Sequence, residues 1–185
     1  MDNDRNIETT VVLKAMGGND LAKGMLYKQY STAMFNICTR MTGDKNQAQD
    51  ILQDAFILAF KNISQVKNEL NFGGWLKRIV INECIKHSKK SVKWFDLEEE
   101  HEQLYNSDEN SWFHHVDLEK VHEEIKNLPD GCRQIFNLYV LEDFHHKKIA
   151  EVLNISESTS KSQYQRARML LKQRLLKNMV EHGRI

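Results

Sequence analysis

The sequence predicts an all-α protein built from two small helical domains joined by an acidic linker. Three observations predict it. One proline and eight glycines in 185 residues leave few breakers, so helices can run uninterrupted. Apolar residues recur at three- and four-residue steps, and no series of short alternating runs punctuated by turn residues marks a β fold. Between the periodic stretches, Ser91 to about His115 is acidic, contains Asn-Ser-Asp-Glu-Asn-Ser and has only a weak apolar period. The expected division is a first domain over 1–92, a linker over 93–115 and a second domain over 116–185.

The first helix is expected over Ile7 to Met16, with Val11, Val12 and Ala15 inward, and Gly17-Gly18 ends it. Asn19 then caps a second helix, Asp20 to Met41, whose apolar positions are Leu26, Tyr30, Met34, Ile37 and Met41. Thr42-Gly43 stops that helix, and Asp44 with Gln47 has the spacing of a capping-box variant at the start of the third. The third helix has the clearest apolar stripe: Ala48, Ile51, Leu52, Ala55, Phe56, Ala59, Phe60 and Ile63. Its other face presents Asp50, Gln53, Asp54 and Ile57, a mixed acidic and apolar surface. A loop over Ser64 to Gly74 leads to a fourth helix, Trp75 to about Lys90, which buries Leu76, Ile79, Val80 and Cys84.

The second helical unit starts near Val116, and Pro129 sits where a helix's first turn tolerates proline. Ile135, Leu138, Tyr139 and Leu141 have core-like spacing. A helix over Phe144 to Leu153, a break at Asn154-Ile155 and a last helix from Ser156 to about Val180 complete the chain.

Charge is informative by placement, since lysine plus arginine and aspartate plus glutamate each total 26. Lys77, Arg78, Lys86, Lys89, Lys90 and Lys93 face one acid, Glu83, in the stretch they span. Asp96 to Glu124 is acidic, and the last thirty residues turn basic with Lys161, Arg166, Arg168, Lys172, Arg174 and Lys177. Two basic blocks are read either as two contacts with polyanions or as solvated helix faces. The three cysteines, Cys38, Cys84 and Cys132, form no CxxC pair and are read as small core residues. The eight histidines lack metal-ligand spacing, and there is neither a Gly-rich phosphate loop nor a nucleophile elbow. No enzyme, metal or cofactor is therefore expected. The start has no secretory pattern and no run approaches a membrane span, so the expected location is cytoplasmic, without membrane insertion.

Asp143 to Leu171 carries the most function. Ile149, Ala150 and Leu153 give a first helix its buried face, Asn154 suits a left-handed helix end, Ile155 plugs the gap and Ser156 caps the next helix. This is a helix-turn-helix pattern, whose second helix enters the major groove. Glu157, Ser158, Thr159, Lys161, Ser162 and Gln163 are expected to face base edges and phosphates, with Arg166 and Arg168 on phosphates further along. His145 and His146, at the start of the scaffold helix, are expected in solvent or on phosphate.

KKIAEVLNISESTSKSQYQRARMLLKQRL resembles the C-terminal promoter-recognition domain of the extracytoplasmic-function (ECF) sigma factors of the sigma-70 family. DILQDAFILAFKNI resembles the family's core-binding helix, and FGGWLKRIVINECIKHSKK its promoter-melting and −10 segment. The match runs from Asn19 onward, in the family's order. It implies a region 2 bundle, a region 4 helix-turn-helix, and partners comprising the β and β′ subunits of RNA polymerase core, double-stranded and melted promoter DNA, and an anti-sigma factor. Asp50, Gln53 and Asp54 match positions that grip the β′ coiled coil, with Ile57 on the same face. Arg78, Asn82, Lys86 and Lys89 form one stripe, and Asn82 matches the asparagine of the pocket for a base flipped out of the −10 element. The loop Asn62 to Asn71 would cradle that base. Phe72 and Trp75 are candidate stacking platforms, with a core reading favoured for Trp75. Ser158, Thr159, Lys161, Ser162, Gln163, Arg166 and Arg168 would read the −35 element. The acidic linker is read as a mimic of a phosphate chain or as a plain tether.

Two departures stand out: Ser160 where the family often has an aliphatic residue, and Gln163 where it has an arginine. Ser160 is expected to weaken packing under the recognition helix. A rival reading is a repressor or activator using only the helix-turn-helix, and a third is a protein-interaction module without DNA binding. The Asp50-Gln53-Asp54 face separates the first from the second, since only a sigma factor needs it.

Overall fold

The structure, a computed structural model, describes residues 2–67, 71–91 and 118–181, and side chains within 7–67, 71–89 and 119–177. The chain divides into two compact units, Met1–Lys90 and Ser91–Ile185. No strand occurs among the described residues. The linker expected over 93–115 lies outside them.

The first unit contains α1 (Asp2–Met16), α2 (Asp20–Thr42), α3 (Lys45–Lys61), a 3-10 turn (Ile63–Gln65) and α4 (Phe72–Ser91). Caps set the boundaries. Asn19 Oδ1 accepts from the Ala22 amide at 2.9 Å, and Asp44 Oδ1 accepts from the Asn46 and Gln47 amides at 2.7 and 2.9 Å. Between them Gly43, at φ 74°, closes α2 in the left-handed conformation and returns its amide to Thr39 O. The α3 stripe docks on α2: Ala48, Ile51, Leu52, Ala55, Phe56 and Ala59 are buried, and the Phe56 ring lies 4.7 Å from that of Tyr27.

The fourth helix begins three residues earlier than its apolar period indicates, because Phe72 is fully buried and anchors the first turn. That settles its role as core. Trp75 is half-buried beside it, with ring centroids 5.7 Å apart. Cys38 on α2 and Cys84 on α4 are buried and share a thiol–thiol hydrogen bond, which lowers the pKa of Cys38.

The second unit contains α5 (Leu118–Lys126), α6 (Asp130–Phe136), a π-helical segment (Asn137–Leu141), α7 (His146–Leu153) and α8 (Glu157–Glu181). Ile125, Leu128, Cys132, Ala167 and Leu171 form a core cluster shared by α5, α6 and α8. Pro129 is the N-cap residue of α6 and not part of its first turn. The turn around it is held by Arg133, whose Nη1 donates to Lys126 O and Leu128 O, both at 2.9 Å. The helix expected from Phe144 starts at His146, after Asp143 takes a left-handed φ of 58° and leads the chain out of the π-helical segment.

Candidate nucleic-acid and polymerase interfaces

Three helix faces carry the expected functional residues. On α3, burial of one side leaves Asp50, Gln53 and Asp54 exposed on the other, at positions i, i+3 and i+4. Ile57 completes that row and is 66% exposed, an apolar group set among carboxylates away from the buried stripe of the helix. A large apolar group ringed by polar ones is the anatomy of a protein contact.

On α4 the buried side consists of Phe72, Leu76, Val80, Ile81, Cys84 and Ile85. Arg78, Asn82, Lys86 and Lys89 are all exposed along the opposite stripe. Glu83 interrupts this basic face from below: it is only 8% exposed, and its Oε2 accepts from Lys86 Nζ at 3.0 Å. Sequence reasoning counted Glu83 only as a charge, although its i, i+3 spacing to Lys86 was the available signal.

The helix-turn-helix forms as its turn chemistry requires. Asn154 ends α7 in the left-handed region, at φ 57° and ψ 52°. Ser156 Oγ accepts from the Thr159 amide at 2.9 Å, satisfying a free donor at the start of α8. Glu157, Ser158, Lys161, Arg166 and Arg168 are exposed on α8, and Ser162 is half-buried.

Two expected base-reading residues point inward instead. Thr159 is 4% and Gln163 5% exposed. Thr159 Oγ1 lies 2.6 Å from Ser156 Oγ, and Gln163 Oε1 accepts from Cys132 Sγ at 3.1 Å. The reason is register: 159, 160, 163 and 167 share the side of α8 that packs on α6 and α7, with Ala167 at its centre. Polar residues at these positions had hidden the core-facing side from an apolar-period reading.

Ser160 is also fully buried, and its Oγ lies 2.9 Å from His146 Nδ1. The His146 ring stacks on Tyr139 with centroids 4.4 Å apart and planes 14° apart, and Tyr164 flanks it at 5.7 Å. His146 therefore packs between the helices of the motif and not into solvent or onto phosphate; His145, the N-cap residue, is exposed. Burial and the neighbouring Lys161 ammonium lower the His146 pKa, against a smaller opposing pull from Glu157. Lys161 is itself paired with Glu157 at 2.8 Å, a bond that lowers the Glu157 pKa.

Among the described residues, no group of three His, Cys, Asp or Glu could hold a metal ion, and no helix is long and apolar enough to cross a membrane.

Two segments of the chain match family models of known proteins. The family model for sigma-70 region 2 matches residues 26–93, and that for sigma-70 region 4 matches residues 118–171. The chain is 29% identical over 149 residues to the ECF RNA polymerase sigma factor SigM of Bacillus subtilis, covering 80% of this chain and 91% of that one. It is 25% identical over 183 residues to the ECF RNA polymerase sigma-E factor of Haemophilus influenzae, covering 91% and 95%. Among solved structures, CnrH in complex with the cytosolic domain of CnrY aligns with a TM-score of 0.49 at 20% identity, over 91% of this chain and 96% of that one. Such relatives are transcription regulators rather than classical enzymes. The chain belongs to the sigma-70 family, as an ECF-type RNA polymerase sigma factor that directs initiation of transcription from promoters.

Proposed function

We propose that this sigma factor divides its work among the three faces. Asp50, Gln53, Asp54 and Ile57 bind the polymerase core through the β′ coiled coil. Arg78, Asn82, Lys86 and Lys89 engage the −10 element as it melts, with Asn82 on a flipped base. Ser158, Lys161, Ser162, Arg166 and Arg168 contact the −35 duplex, while Thr159 and Gln163 hold the recognition helix in place from behind. The working domains are 1–92 and 116–185 with 93–115 as the connector, and the chain acts in the cytoplasm with no catalytic step of its own. The family likeness brings an anti-sigma factor as a second protein partner.

The observation that carries this reading is the α4 stripe, four exposed polar and basic side chains in a row on a helix whose other side is buried. A repressor using only the helix-turn-helix has no use for it. Run-off transcription with purified core polymerase, with and without the chain, on fragments of its own genome, tests the reading. Specific transcripts that need the chain are expected. Absence of transcripts and of core binding, with duplex binding intact, would replace it with the repressor reading.

A further inference from the structure

The matched region 2 segment starts at residue 26, downstream of α1, yet α1 is tied to the start of the helix that carries the −10 stripe. The tie is Tyr30. Its Oη donates a hydrogen bond to the Glu8 carboxylate on α1, and its ring lies 5.5 Å from Phe72 in the first turn of α4. The adjoining residue is Gly73, where an added Cβ would stand only 2.8 Å from Tyr30 Cε1. Glycine therefore lets α4 begin directly against this ring. The same helix α1 also touches the 3-10 turn Ile63–Gln65. One helix thus contacts the end of the α3 segment and, through one tyrosine, the beginning of α4.

A phenol held at its hydroxyl cannot swing about its χ angles as a free ring can, and a bond to a carboxylate is stronger than one between neutral groups. Partial burial and Glu8 both push the Tyr30 hydroxyl pKa well up, so it remains a donor across the working pH range. The arrangement fixes the N-terminal end of α4, from which Arg78 and Asn82 follow within two to three turns.

We propose that Glu8 and Tyr30 are positioning residues for promoter opening: through the Tyr30 ring, α1 fixes the start of α4 and so where Arg78 and Asn82 meet the −10 strand. This rests on the −10 assignment made above. It gives α1 a task in DNA opening that is exerted through α4.

The test uses full-length Glu8→Ala, Glu8→Gln, Tyr30→Phe and Asn82→Ala proteins assembled with core polymerase. Three quantities are read: affinity for core, open-complex formation by permanganate reactivity, and discrimination between matched and mismatched single-stranded −10 oligonucleotides. Glu8→Ala and Tyr30→Phe are expected to lower opening and discrimination by about tenfold, the scale of one charge-assisted hydrogen bond, with core affinity unchanged. Glu8→Gln keeps an acceptor oxygen and is expected to retain most of both. Wild-type opening and discrimination in Glu8→Ala and Tyr30→Phe, beside an impaired Asn82→Ala, would overturn the brace alone. Parallel loss of core affinity and thermal stability would also overturn it, reducing the contact to fold maintenance. A normal Asn82→Ala holoenzyme would overturn the −10 assignment and the brace with it.

Discussion

His146 Nδ1 lies 2.9 Å from Ser160 Oγ, joining the two helices of the helix-turn-helix through a part-buried polar contact that ends on the fully buried serine. The ring's stacking on Tyr139 orients it toward Ser160. Ser160 thus does not simply weaken the packing under the recognition helix, because its hydroxyl is matched by the histidine opposite. Replacing one member strands the other. Ser160→Ala is expected to destabilise the chain by about 1 kcal/mol, the usual net worth of such a bond. A double-mutant cycle with His146→Ala, read by urea denaturation, is expected to give a coupling of about 0.5–1.5 kcal/mol; additive effects would show the contact to be energetically idle.

The same histidine makes the second unit sensitive to acid. Its folded pKa lies below the ordinary value of 6.5, first through burial and then through Lys161. The unfolded chain therefore takes up this proton first as pH falls. The stabilising contribution of the neutral ring is present above 6.5 and is lost as pH falls from there through the depressed folded value. The ring protons of His146 are expected to titrate below 6.5 by NMR. Stability of a His146→Asn variant is expected to fall less over that window.

On α3, Asp54 is exposed and lies outside the apolar face, so Asp54→Arg is expected to change stability by no more than about 0.5 kcal/mol. Core binding is expected to drop sharply, because the substitution reverses the charge next to Ile57 in the face proposed for β′. A pull-down with core polymerase at matched salt measures it. Unchanged capture would remove this face from the polymerase contact.

On α8, neighbouring residues are expected to fail in different ways. Arg166 is exposed, and Arg166→Ala is expected to weaken duplex binding and make the dependence on log salt shallower by about one phosphate contact. Gln163 is buried against Cys132, so Gln163→Ala is expected to lower the unfolding midpoint while leaving the salt slope unchanged. Titration of a promoter duplex at several salt concentrations, beside thermal unfolding, separates the two. A changed slope for Gln163→Ala would place it on DNA after all.

Much of this was legible from residue order. Stretches with a helical apolar period, such as Ala48 to Ala59, became helices with the expected inward faces, because burial of a continuous stripe dominates local choice. Caps and stops at Asn19, Gly43, Asp44, Asn154 and Ser156 also fell where their side chains or backbone freedom placed them. These are local effects, decided within one turn of chain. The family likeness was carried the same way, by motifs in a fixed order.

What the tertiary structure decided is which polar residues turn inward. Thr159 and Gln163 look solvent-facing, and only docking of α8 on α6 and α7 sends them into the core, toward Ser156 and Cys132, while the same docking gives the buried Ser160 its partner in His146. Glu8 meets Tyr30 across 22 residues, and Cys38 meets Cys84 across a greater separation still. Periodicity sorts residues by hydrophobicity, so it misplaces a polar side chain whose partner lies on another helix. The sequence by itself determined the apolar stripes that became helices, the ends set by local caps, and the family. The partners of its buried polar groups depended on how the helices packed, because a hydrogen bond that compensates burial exists only once both groups have been brought together.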